Sequence, residues 1–280
     1  MRSEATRVYD ARDARPGLPA DFSTAVRGLF EFRGLFVELV RRDLLIRYKQ
    51  TLIGVAWAVV VPFSAMLVFA MVFTRAVPVE TEIPYPLFAY SGLLAWNLLA
   101  TSLRTATTSL TLNHALVTKV AFPRGILPLS TIAVALVDFL VASVILGGMM
   151  VYYGVPPSGL AVLLPLVLLA ELALVAGLSL LLALAHLFYR DVGYIVGLGL
   201  LLWMFATSVV YPVELVGGRL GALLRWNPMN PIIETFRAAL FGGTLPGAPA
   251  LLGTALGSLA LLAGAIVWFH RLEPRFAEAI

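Results

Sequence analysis

The chain has 280 residues, 60% of them hydrophobic and 13% charged, with a mean hydropathy of +0.92. A soluble domain is about 45–50% apolar and about 25% charged, so an ordinary soluble protein is excluded and the chain reads as an all-α polytopic membrane protein. The absence of cysteine and the net charge of +4 exclude disulfides and thiolate metal sites and point to no nucleic acid partner.

Residues 1–21 are charged, proline-containing and poor in anything to bury, which predicts a disordered cytosolic tail. The first 50 residues hold ten of the twenty Lys and Arg and contain no signal-peptide core. Over 22–51, Leu29, Phe32, Phe36 and Leu39 or Val40 recur at helical spacing with Arg33, Arg41 and Arg42 on the other side. This predicts an amphipathic helix in the plane of the inner leaflet, where anionic lipid attracts basic side chains. Residues 52–280 then form the transmembrane domain. Apolar runs at 52–74, 87–110, 126–152, 160–187, 193–211 and 249–269 approach or exceed the roughly 20 residues a bilayer requires, predicting six transmembrane helices. With both termini cytosolic, sixteen basic residues fall inside and Arg75, Arg219, Arg225 and Arg237 outside, in keeping with the positive-inside rule.

Residues 212–248 fit no simple span, because the run NPMNP at 227–231 interrupts them. Asn230 stands as an N-cap, Pro231 at the first helical position and Gly242–Gly243 as the stop of a helix too short to cross. Short re-entrant helices over about 212–245 are predicted, with a plain surface loop as the alternative. Two basic turns, at 111–130 and at 186–194, serve to fix orientation or to receive a cytosolic partner. Asp138 and Glu171 interrupt apolar spans, and such residues are functional by default. They suggest a proton-coupled secondary carrier, or else structural partners such as Arg104, Ser102 or a backbone carbonyl. No constellation for a membrane-embedded enzyme occurs: His114, His186 and His270 are scattered, and His186 reads as interfacial. The GTALG run at 253–257 fits small-residue helix packing.

The runs VRRDLLIRYKQTLIGVAWAVVVPF at 40–63, VTKVAFPRGILPLS at 117–130, FYRDVGYIV at 188–196 and NPMNPIIETFR at 227–237 resemble, in the same order, the polysaccharide-exporting ABC permeases. That family includes the Wzm-type permeases for lipid-linked O antigen and the capsule and teichoic-acid exporters. The resemblance implies a homodimer bound to two copies of a separate cytosolic ABC ATPase and moving a lipid-linked glycan across the bacterial inner membrane. No GxxxxGK[ST] phosphate loop occurs here, so ATP and Mg belong on the partner and this chain carries no cofactor or metal. By the same resemblance, Arg42, Asp43, Arg47, Tyr48 and Lys49, the loop Lys119, Phe122, Pro123 and Arg124, and the turn Tyr189, Arg190 and Asp191 form the ATPase-docking and coupling surface. Gly54 and Pro62 let the first span bend. Tyr90, Trp96, Trp203, Phe205 and Tyr211 are candidates for an aromatic translocation path, with Asn227, Pro228 and Pro231 in the outer gate.

Overall fold

A computed structural model describes residues 18–49, 51, 53–76, 81–212, 215–224 and 226–276. The described residues form helices and connecting turns, with no strand among them. Residues 1–17, Glu214 and Arg225 lie outside the described set, and with them almost all of the expected tail.

The chain opens with α1 (Leu18–Glu31) and α2 (Arg33–Tyr48). The single helix expected over 22–51 is therefore two, divided at Phe32, which leaves helical geometry at φ −94° and ψ 23° between Gly28 and Gly34. A second difference concerns the stripe. Leu29, Phe32 and Phe36 are partly buried and Leu39 buried in an apolar cluster with residues of later helices, so the stripe faces protein rather than lipid.

Four helical segments are long and apolar enough to cross a membrane: Gly54–Thr74, Ile126–Tyr153, Gly159–Phe188 and Pro249–Leu272. Their α-helical portions are α3 (Trp57–Met71), α6 (Ile126–Tyr153), α7 (Leu164–Phe188) and α11 (Ala248–Leu272). Between α3 and α6 come α4 (Tyr85–Leu112) and the short α5 (His114–Lys119). Helix α4 has 28 residues, roughly 42 Å of rise, and is less hydrophobic because of where it lies. Twenty of its residues are buried, and it packs on α3, α6, α7 and α8, α8 being Val192–Phe205. A helix shielded from lipid on most sides can carry Ser91, Ser102, Thr107 and Ser109 inside, where hydroxyls satisfy backbone carbonyls of the preceding turn, as Thr107 and Ser109 do. By contrast α3 buries only Pro62 and Met66, leaving its apolar surface outward.

Helix α8 has 14 residues, roughly 21 Å, and is too short to traverse about 30 Å of hydrocarbon without its following turn. Two short helices follow, α9 (Gly218–Leu224) and α10 (Met229–Phe241). Ten of the thirteen α10 residues are buried, which a loop lying on the surface would not allow. The helix ends, as expected, at Gly242 and Gly243, whose φ values of +83° and +104° favour glycine. Its start differs from expectation: Pro228 is at the N-cap position, and Asn227 Oδ1 accepts the Met229 N–H at 3.0 Å. Asn230 is already inside the helix, turned toward other elements.

Candidate functional site

The expected cytosolic elements converge on one end of the bundle, here the basal end. Leu39 of α2, Val117 of α5, Phe122, Leu184 and Leu187 of α7, Phe269 of α11 and Phe276 share one apolar cluster. The cluster explains how segments distant in sequence meet: each contributes one or two large side chains, and burying them together fixes the turns that carry the charges. Lys119, Arg190 and Asp191 are exposed on this end, as is Tyr189 at 72%; Lys49 is exposed too, but next to Tyr48, which bonds Asp138 part-way along α6. Phe122 at 1% and Pro123 are buried, so these two side chains shape the loop instead of presenting a surface.

Arg124 also points inward. Its guanidinium donates to Val117 O at 3.3 and 3.4 Å and to Glu273 O at 3.4 Å, and its backbone N–H donates to Glu273 Oε1 at 2.6 Å. Arg42 pairs with its neighbour Asp43 at 2.8 Å. Arg47 and Tyr48 both bond Asp138 of α6. Burial, and then the hydrogen bond to the Asp138 carboxylate, push the Tyr48 phenol above its ordinary range, so it stays a donor. Asp138 is thus held neither by Arg104, which is exposed, nor by Ser102, whose Oγ has no hydrogen-bond partner among the described residues. Arg47, Tyr48 and Asp138, with Asn97, Thr101 and Trp57, line a cavity of about 350 Å³ between α2, α3, α4 and α6. Glu171 is buried, and its Oε1 has no hydrogen-bond partner among the described residues.

At the opposite end the NPMNP run acts as a staple. Asn227 Oδ1 accepts from Trp203 Nε1 at 2.9 Å, and its amide donates to Ala206 O at 2.8 Å and Thr207 Oγ1 at 2.7 Å. Asn230 accepts from Ser208 N and donates to Leu224 O, both at 2.8 Å. Pro228 and Pro231 lie in the first turn of α10, where missing N–H groups cost least. Arg237, counted among the outside arginines by sequence, is buried. It donates to Ser208 O at 2.6 Å, Val209 O at 2.7 Å and Phe88 O at 2.9 Å, and lies 3.5 Å above the Phe88 ring. A Cβ at Gly92 would come within 2.4 Å of both Arg237 Nη2 and Val209 O, so only glycine fits there. Arg237 joins Glu82 and Glu234 on the walls of a cavity of about 550 Å³ at this end.

The aromatic candidates divide. Tyr90 at 0% and Trp96 at 4% are enclosed: Tyr90 donates to Ala142 O at 3.0 Å, and Trp96 meets Trp203 edge-on at 5.8 Å. Buried side chains cannot touch a passing glycan, so these two belong to the helix-packing core. Phe205 is 51% exposed, and Tyr211, partly buried, donates to Phe205 O.

A family model for ABC-2 type transporters matches residues 34–241. The chain belongs to the ABC-2 type transporter family. It is 33% identical, over 91% of its length and 98% of the relative's, to the O-antigen export system permease protein RfbA of Myxococcus xanthus. It is 27% identical, over 88% of its length and 95% of the relative's, to the O-antigen export system permease protein RfbA of Klebsiella pneumoniae. This ABC-2 chain is accordingly a multi-pass membrane transport subunit, and its buried features read as transporter scaffolding. Sequence reasoning missed Arg237, Gly92, His270 and Glu273. For Arg237 the signal was an arginine in a mainly apolar short helix that also carries Glu234; for Glu273 none was available.

Proposed function

We propose that this chain is the permease subunit of an ATP-driven exporter that moves a lipid-linked polysaccharide of the O-antigen type outward across the bacterial inner membrane. In this reading it works as a homodimer with two copies of a cytosolic ABC ATPase, which hold ATP and Mg. The four long apolar helices, the enclosed α4 and α8 extended by its turn make six spans, with both termini cytosolic and α9–α10 re-entrant. The similarity to O-antigen export system permease proteins supports the cargo. The observation that carries the motor-docking part is the gathering of α2, the 113–125 segment and the α7–α8 turn around one apolar cluster. That gathering supports a single docking surface that includes Lys119 and the exposed Tyr189–Asp191 turn, with Lys49 further along α2.

Phe205 and Tyr211 remain the aromatic candidates for the path, and Asn227, Pro228 and Pro231 hold the gate hairpin in place. Asp138 paired with Arg47 and Tyr48 supports a structural role over proton coupling. The test is reconstitution of the chain with its ATPase. Reversing charge with Lys119→Glu is expected to weaken copurification and to lower ATP-dependent export several-fold, whereas a protonophore leaves export unchanged. Export by the chain alone, driven by a proton gradient, overturns the reading. Arg47→Glu is a poorer probe, since it also breaks the Asp138 contact.

A further inference from the structure

The docking loop is not anchored by its own helices alone. Glu273, in the turn that ends α11, is 2% exposed, and His270 one turn earlier is 3% exposed. Glu273 Oε1 accepts the backbone N–H of Arg124 at 2.6 Å, and Glu273 Oε2 lies 3.5 Å from His270 Nδ1. The Arg124 guanidinium returns to Glu273 O, and lies 6.0 Å from the centre of the Phe276 ring. Phe276 is fully buried and meets Phe269 edge-on at 5.3 Å. Main chain and side chain of the loop are thus both gripped by the carboxyl-terminal turn. A carboxylate withdrawn from water is tolerable only while its hydrogen bonds are kept, so water does not readily replace this contact.

Helix α11 is in turn bound closely to α7. At Gly177 a Cβ would stand 3.0 Å from both Leu261 Cγ and Leu262 N, so α7 and α11 approach closely there. Helix α1 also packs on α11. A displacement of the 119–124 loop therefore reaches α6 through the chain, which enters α6 at Ile126, and reaches α11 and α7 through Glu273.

We propose that Glu273, supported by His270, is a positioning residue for the docking loop, and that α11 is a second receiver of the motor's stroke. This rests on the reading of Lys119–Arg124 as the docking loop. The cysteine-free chain permits a direct test with spin labels at Ala121→Cys and Trp268→Cys, both on exposed positions. In the full-length chain in nanodiscs, diluted with unlabelled chain so that one protomer of a dimer carries the pair, a narrow distance distribution is expected, unchanged when the ATP-loaded partner binds. Glu273→Ala is expected to broaden it and to lower export per ATP hydrolysed several-fold in the reconstituted complex. Glu273→Gln keeps an oxygen acceptor for the Arg124 N–H, and is expected to restore both readouts. A broad wild-type distribution, a narrow one in Glu273→Ala, or Glu273→Gln as broad as Glu273→Ala overturns the proposal. Should Glu273→Ala not fold, Glu273→Asp, one methylene too short, is expected to be broad, and a narrow result overturns equally. If Lys119→Glu leaves the ATPase bound, the docking reading fails, while the distances in the chain alone still decide the clamp.

Discussion

Arg237 joins three segments through a single side chain. Its planar fork serves carbonyl oxygens of α4 and of the 208–209 turn at once, a geometry that lysine's single ammonium cannot reproduce. Replacing it with alanine leaves those carbonyls buried without this donor, at about 1–3 kcal/mol for each group left unsatisfied. Arg237→Ala is therefore expected to lower the thermal unfolding midpoint more than Arg237→Lys, with both below wild type. Gly92→Ala forces a methyl group into the same space, and is expected to destabilise by about 1–3 kcal/mol or more. Unfolding of the detergent-purified chain followed by circular dichroism checks all three. If Gly92→Ala unfolds like wild type, the close approach of α4 to the 208–209 turn is wrong.

Among the elements, α8 and α10 depend on each other. Neither is long, and the end of α8 with its following turn is bonded to the start of α10 through Asn227 and Asn230. All of the Asn227 side chain's hydrogen-bonding capacity is used: two bonds accepted and two donated. Asn230 makes two in total. Asn227→Ala is thus expected to destabilise more than Asn230→Ala, and Asn227→Ala alone should shift the emission of Trp203, since it removes that indole's acceptor. The existence and stop of α10 were legible in its asparagine and proline start signals and its glycines. Its start was not, because NPMNP contains two asparagines, each capable of capping, and only the position of the α8 turn decides which side chain faces the Met229 N–H. The same limit applies to α1 and α2. Periodicity reveals an apolar stripe, but cannot say whether protein or lipid covers it.

For the whole molecule, the basal end is held by large apolar side chains together with the Arg124–Glu273 contact, and the α8–α10 end by asparagine and arginine bonds to backbone carbonyls. The proposed six spans with cytosolic termini predict a definite labelling pattern. Single cysteines at Ala121 and Tyr189 are expected to react with an impermeant maleimide only in inside-out vesicles, and a cysteine at Thr244 only in right-side-out cells. Labelling of Thr244→Cys from the same side as Ala121→Cys and Tyr189→Cys would remove α8 as a span.

Sequence by itself determined the solvent, the helical class, the apolar runs and the crowding of basic residues into a few segments, because these follow from side-chain chemistry summed along short stretches. It did not show which charged residues are buried or what each one meets. Asp138 with Arg47, Arg237 with the carbonyls of Phe88, Ser208 and Val209, and Glu273 with Arg124 link positions from 28 to 149 residues apart. Such pairs depend on how helices lie side by side in three dimensions. Tertiary structure alone therefore decided which charges are buried struts and which, like Lys119, remain outside for a partner.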